Sequence, residues 1–304
     1  MCSHPVSNRD HQRQCKFLSY MFYQAVRDRT PVWMLEDMRT MECFYWEENA
    51  SLRAYSPSEA LLYAVVHDHL PYAQYLLSRY PLEALEVPGD RFCCCPSSAP
   101  HLTMAVRYDR EDILGLILKI VNRLPGLKSY IDRKGCFHVE DGKTPLHLAC
   151  ELTRAETVLM LLGSGASARI ADSQGLTPLD IILQQIWVSK ANSEPTKLCA
   201  NHLLLFMSTL QFKMKRALEE NATEWKELLG EEQYNYLSGR VPATLSMLAM
   251  QCIFKCLPPS RFPGSIKELP IPHSLKPLPF ARPVRFSFSR PKTSQKGGRK
   301  HQNP

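Results

Sequence analysis

The phrase T-P-L-H at Thr144–His147 returns as T-P-L-D at Thr177–Asp180, 33 residues later. A fixed period of this length restricts a chain to stacked copies of one small unit, because each copy buries its apolar side only against a neighbour. Within the phrase, Asp141–Gly142 suits a tight turn. Thr144 is placed to cap a helix, and Pro145 fits the first helical position, where no N–H is needed. Leu146, Leu148 and Ala149 begin an apolar face. A second helix carries Val158, Leu161 and Leu162, and Gly163 and Gly165 mark its stop.

Residues 140–183 resemble the ankyrin repeat, which implies an all-α solenoid of helix–turn–helix units joined by β-turn loops. Two weaker copies precede the clear one. In 59–77 Ala64 takes the place of Ala149, and in 100–118 Ala105 does. Asp68–His69 and Asp109–Arg110 take the usual Gly-His place. Unit starts at 59, 100, 144 and 177 leave insertions around 86–99 and 122–139. The repeats are thus expected over 56–188.

The flanks read differently. Residues 1–16 are polar and expected to be disordered. A helix over Phe17–Arg29 with Phe22, Ala25 and Val26 on one side, and another over Val32–Met38, form an N-terminal cap over 17–55. Beyond the repeats, Ser189–Lys197 reads as a loop, and Leu198–Leu210 and Trp225–Gly239 as helices of a 198–240 segment. Val241–Leu257 reads as one helix, Pro258–Pro279 as a proline-rich stretch, and 280–304 as a disordered tail.

Charge and composition remove several classes of function. The net charge of +7 resides in Arg282, Arg285, Arg290, Lys292, Lys296, Arg299 and Lys300; without them the chain balances at 30 basic and 30 acidic residues. A nucleic-acid interface, which needs a folded basic face, is not expected. No apolar run approaches a membrane span, and no secretory signal opens the sequence, so the protein reads as intracellular with reduced thiols. With 13 glycines and no phosphate-cradling pattern, no cofactor is implied. His67 and His69 are two apart and point apart on a helix. Cys93-Cys94-Cys95, with His101, Cys136 and His138, match no common zinc spacing, and no metal site is assigned.

Function reads most clearly in 242–278. Leu245, Leu248, Ala249, Cys252, Ile253 and Cys256 recur at helical spacing, and Leu269-Pro270-Ile271-Pro272 and Leu275–Leu278 follow. Together these resemble a SOCS box. Its elongin-binding part is matched by Thr244, Leu245 and Ile253, with Ala249 where the pattern has Cys. Its cullin-binding part is matched by Leu269, Pro270, Ile271 and Pro272. The helix suits an apolar groove on one partner and the proline segment an extended contact with another. A plainer reading makes the helix a cap on the solenoid.

Phe22–Arg39, Ala54–His69, Ala105–Arg110, Trp225–Gly230 and Pro263–Leu278 resemble the ankyrin repeat domain-containing protein 9 family. That resemblance implies a non-catalytic substrate receptor of a cullin-RING ubiquitin ligase. Elongin B/C and cullin-5 with its RING subunit would be partners. The client would be a cytosolic metabolic enzyme, with those of nucleotide synthesis included. A cytoplasmic location is implied, with a nuclear share if the tail acts as a signal. The alternative is an ankyrin scaffold with no ligase role. For client contact, exposed aromatics and arginines on loops point to Phe92, Arg107, Tyr108, Phe137, His138 and Arg169.

Overall fold

A computed structural model describes residues 21–40, 55–88, 99–135 and 140–272. Among the described residues every regular element is helical, and the all-α ankyrin solenoid is the fold. Residues 1–20, Phe92, the Cys93–Cys95 run, Cys136, Phe137, His138, Leu275–Leu278 and the basic tail lie outside them.

Residues 21–27 form α1 and Val32–Thr40 form α2. Four pairs follow: α3 (Pro57–Val66) with α4 (Leu70–Arg79), α5 (Pro100–Arg107) with α6 (Glu111–Arg123), α7 (Pro145–Glu151) with α8 (Ala155–Gly163), and α9 (Pro178–Ser189) with α10 (Glu194–Phe206). The first helix of each pair opens on a proline, whose fixed φ is already helical. Ser56, Thr144 and Thr177 cap three of them: each side chain accepts the N–H of the third helical residue, whose own side chain takes the cap's backbone N–H. In the first unit this cap sets the start at Pro57, ahead of the expected 59.

One turn geometry closes every first helix up to α7. Asp68, Asp109 and Thr153 adopt φ of 55°, 60° and 51°. The next N–H, from His69, Arg110 and Arg154, bonds the carbonyl of Ala64, Ala105 and Ala149 at 2.8, 2.9 and 3.0 Å. This bond satisfies a carbonyl that the helix end would leave bare. Arg29 (φ 56°) and the Thr30 N–H to Ala25 carbonyl bond of 3.0 Å repeat the geometry between α1 and α2. The N-terminal helices, expected as a cap, therefore carry the repeat's own turn.

The residue after each turn also ties its unit to the one before. His69 Nε2 lies 3.1 Å from the Thr30 carbonyl. Arg110 donates to the Val66 carbonyl at 2.9 Å, and Arg154 to the Arg107 carbonyl at 3.1 Å and the Asp109 carboxylate at 2.7 Å. Two arginines thus sit on the negative ends of the preceding first helices, where a cation is favoured. First helices α3, α5, α7 and α9 line up in one layer, and α4, α6, α8 and α10 in another. Between them runs one core that includes Leu61, Leu76, Leu102, Ile117, Leu146, Leu161 and Leu183, all fully buried.

Two expectations change at the C-terminal end. The helix expected at Leu198–Leu210 starts at Glu194, behind Ser193, and is the second helix of the fourth pair, packed on α8 and α9. The single helix expected at Trp225–Gly239 is two, α12 (Ala222–Leu229) and α13 (Glu231–Leu237), preceded by α11 (Lys215–Glu220). Gly230, at φ 84°, makes the break, a conformation the other residues there would resist. Trp225 is buried and stacks on Trp187 of α9 at 4.9 Å, which seats α12 against the stack.

Candidate functional site

The last long helix, α14 (Leu245–Cys256), is shorter than the expected Val241–Leu257 because Thr244 takes an extended backbone and caps it, accepting the Met247 N–H at 3.2 Å. Its inward side touches α10. Phe254 stacks on Phe206 at 4.7 Å. Gln251, 5% exposed, donates its side-chain amide to the carbonyls of Leu204 and Met207 at 2.8 and 3.0 Å. Those carbonyls lie at the C-terminal end of α10, where intrahelical donors run out.

The outward side holds the residues singled out in the sequence. Leu245 is 84% exposed and Leu248 46%; Ala249, Cys252 and Cys256 are exposed, and Ile253 is half-buried. The helix is therefore anchored by one face and presents a second apolar face with no cover among the described residues.

Beyond α14 the chain crosses the layer of second helices. A short 3₁₀ turn at Pro259–Arg261 packs on α6. The Phe262 ring lies against Gly163 of α8, so closely that a Cβ there would come within 2.2 Å of it. Gly163, expected only as a helix stop, is the seat for this ring. In α15 (Gly264–Lys267) Ile266 is 1% exposed and fixes the arm further. Leu269 and Ile271 are half-buried, and Pro270 and Pro272 exposed. The expected extended segment is instead bent: the Ile271 N–H bonds the Leu269 carbonyl at 2.8 Å, closing a tight turn about Pro270.

A profile of the ankyrin repeat family matches residues 141–173. Ankyrin repeat domain-containing protein 9 of Mus musculus is 41% identical over 296 residues, covering 88% of this chain and 90% of that protein. The chain belongs to the ankyrin repeat domain-containing protein 9 family. Its repeats form the kind of stacked surface that binds other proteins. Among the described residues no helix is long and apolar enough to cross a membrane.

Of the residues expected at a client surface, Arg107, Tyr108 and Arg169 are described. Arg107 and Tyr108 close α5 and are exposed, but Arg107 reaches Glu140 at 3.6 Å and its carbonyl is held by Arg154. Arg169, on the connection between α8 and α9, donates to Thr209 at 2.8 Å and so fastens the loop after α10. Sequence reasoning passed over a groove of about 600 Å³ between α7 and α9, lined in part by Lys143, Glu151, Ile181, Gln185 and Val188. Val188 of α9, 76% exposed, lies on its wall, an exposure that the sequence pattern does not disclose.

His101, considered beside the cysteines, is fully buried: Nδ1 faces the Tyr130 hydroxyl at 2.8 Å and Nε2 the Ser58 carbonyl at 3.0 Å. A neutral ring satisfies both, and burial pulls its pKa down to about 4. No nitrogen is left for a metal. His69 caps α4 through the Tyr72 N–H, and no group of three metal-ligating side chains occurs among the described residues. Cys150 and Cys199 are buried, and burial drives both thiols above their ordinary pKa, Cys199 to about 12. Burial thus holds both as protonated thiols at neutral pH.

Proposed function

We propose that this chain is the substrate-receptor subunit of a cullin-RING ubiquitin ligase. The outward face of α14 takes elongin B/C, the Leu269–Pro272 turn takes cullin-5 with its RING subunit, and the repeat surface takes the client. The observation that carries this reading is the division of labour on α14. Gln251 and Phe254 hold the helix on the stack, while Leu245 stands 84% exposed directly behind a formed cap. A helix needed only as a lid would turn its leucines inward, since burying one contributes about 1.5–3 kcal/mol. Leu245, Ala249 and Ile253, spaced four apart, form a row suited to a groove on a partner.

In this assembly the chain does no bond chemistry. It raises the rate of ubiquitin transfer by holding client lysines near the charged conjugating enzyme. The client class is a cytosolic metabolic enzyme, as the family resemblance implies, and the complex works in the cytoplasm.

Co-purification tests both halves of the arm. Leu245→Asp places a charge in the row and should abolish capture of elongin B/C while the helical circular dichroism is kept. Leu269→Ala with Pro270→Ala should retain elongin and lose cullin-5. The fixed docking of α14 on α10 also favours the plainer reading, an ankyrin scaffold whose last helix is a lid. Unimpaired elongin capture by the Leu245→Asp protein, or none by the unaltered chain, would establish that reading instead.

A further inference from the structure

Four cysteines lie among the described residues, and they divide cleanly. Cys150 and Cys199 are enclosed in the core, and Cys252 and Cys256 are exposed on α14. Their place on that helix is not marginal. At about 100° per residue, Cys252 and Cys256 fall within about 20° on either side of the direction of Leu245 and roughly opposite Phe254. Leu248 and Ala249 flank them. The two thiols therefore occupy the middle of the outward apolar face, one helical turn apart.

We propose that Cys252 and Cys256 form a thiol modification site that gates docking on α14, its reagent being a small disulfide of the glutathione class. The thiolate of Cys252 attacks one sulfur of the reagent. A new S–S bond forms to Cys252, the reagent's S–S bond breaks, and its other half leaves as a thiolate carrying the bonding pair. The Cys252 sulfur is oxidised and the departing half reduced; the thiol proton passes to solvent. Free glutathione reverses the step by the same attack.

Residues four apart on a helix hold their Cβ atoms about 5–6 Å apart, whereas a disulfide needs about 3.5–4.5 Å. Cys256 therefore does not expel the adduct by closing an internal disulfide while the helix stays wound, and the mixed disulfide persists. Its tripeptide, bulky and charged, then stands in the row that Leu245, Ala249 and Ile253 present to a groove. This consequence rests on the docking reading above; the site of modification does not.

The experiment uses the full chain, treated with glutathione disulfide or with reduced glutathione. Peptide mass mapping should find the adduct at Cys252, Cys256 or both, and none at Cys150 or Cys199. Elongin B/C capture by the treated protein should fall by about tenfold or more, as expected when a central contact is blocked, and reduced glutathione should restore it. In the Cys252→Ser, Cys256→Ser protein, capture should not respond to the disulfide. An adduct confined to other cysteines overturns the site. Equal loss of capture in the double serine protein, or full capture by protein modified at Cys252, overturns the gating. Should untreated protein capture no elongin, the docking reading fails and with it the gating, and the adduct map alone decides the site.

Discussion

The fourth position of the repeat phrase holds His147 in one unit and Asp180 in the next, and what each must bond explains the change. His147 accepts the Thr144 N–H at Nδ1 and directs Nε2 to the Leu176 carbonyl, 3.0 Å away at the entry to the next unit. At Asp180 the following chain offers donors instead: the N–H groups of Lys213 and Met214 reach its carboxylate at 3.1 and 2.7 Å. A ring that donates suits the first site and a carboxylate that only accepts suits the second. The cap by Thr144 was legible in the sequence; the part His147 and Asp180 take in the caps was not read there, nor were their long-range partners, 29 and 33 residues on, because no spacing rule connects them. His101 is open to a direct test. Its pKa is 6.5 unfolded and about 4 when buried, so the unfolded chain binds the proton first as pH falls. Its contribution is complete above 6.5 and is lost on acidification towards 4, a change on the order of 3 kcal/mol. Glu111 works the other way: burial and the neighbouring Glu156 raise it to about 7, so acidification relieves it. Urea midpoints between pH 7.5 and 4.5 should therefore fall less steeply in His101→Gln than in the unaltered chain. Identical slopes would show that the ring does not govern this pH window.

Helix α14 shows why an element's pattern leaves its direction open. Its outward row was plain in the sequence, but Met247 and Phe254 make a second apolar side, and a polar Gln251 stands in that inner one. Only the carbonyls of Leu204 and Met207 at the end of α10 make a buried glutamine there favourable. The same holds for Gly163, whose place near the end of α8 suggested a stop while its real neighbour lies about a hundred residues on. Gly163→Ala should test that seat. Alanine favours a helix by roughly 0.5–1 kcal/mol over glycine, yet its Cβ would meet the Phe262 ring at 2.2 Å. Because the ring belongs to a surface arm, the arm should yield and not the helix. Hydrogen exchange should quicken over 259–268 while α8 stays protected, and Phe262→Ala should produce the same pattern. Exchange that quickens in α8 instead would mean the glycine serves the helix alone.

Across the whole molecule, stability is passed from unit to unit by the residues that follow each turn. Arg154 joins the end of α5 to the start of α8, through the Arg107 carbonyl and the Asp109 carboxylate. Arg154→Met keeps much of the side chain's bulk and removes those bonds. It should lower unfolding stability by about 1–3 kcal/mol with the helical signal unchanged, as read by urea titration. A drop under half a kilocalorie, the range of an ordinary surface change, would make the tie incidental. The period of the phrase disclosed the stack, but the insertions hid the α1–α2 copy of its turn, which lacks the phrase altogether. The C-terminal arm then alters what kind of object the stack is. A row of units that touch only their neighbours is a spring, free to open at any coil. Here one continuous segment rests on α10, α6 and α8 in turn, a tendon laid across the layer of second helices. Flexing that spreads these second helices must lift this tendon from its seats, so the spacing of the units is held before any partner arrives.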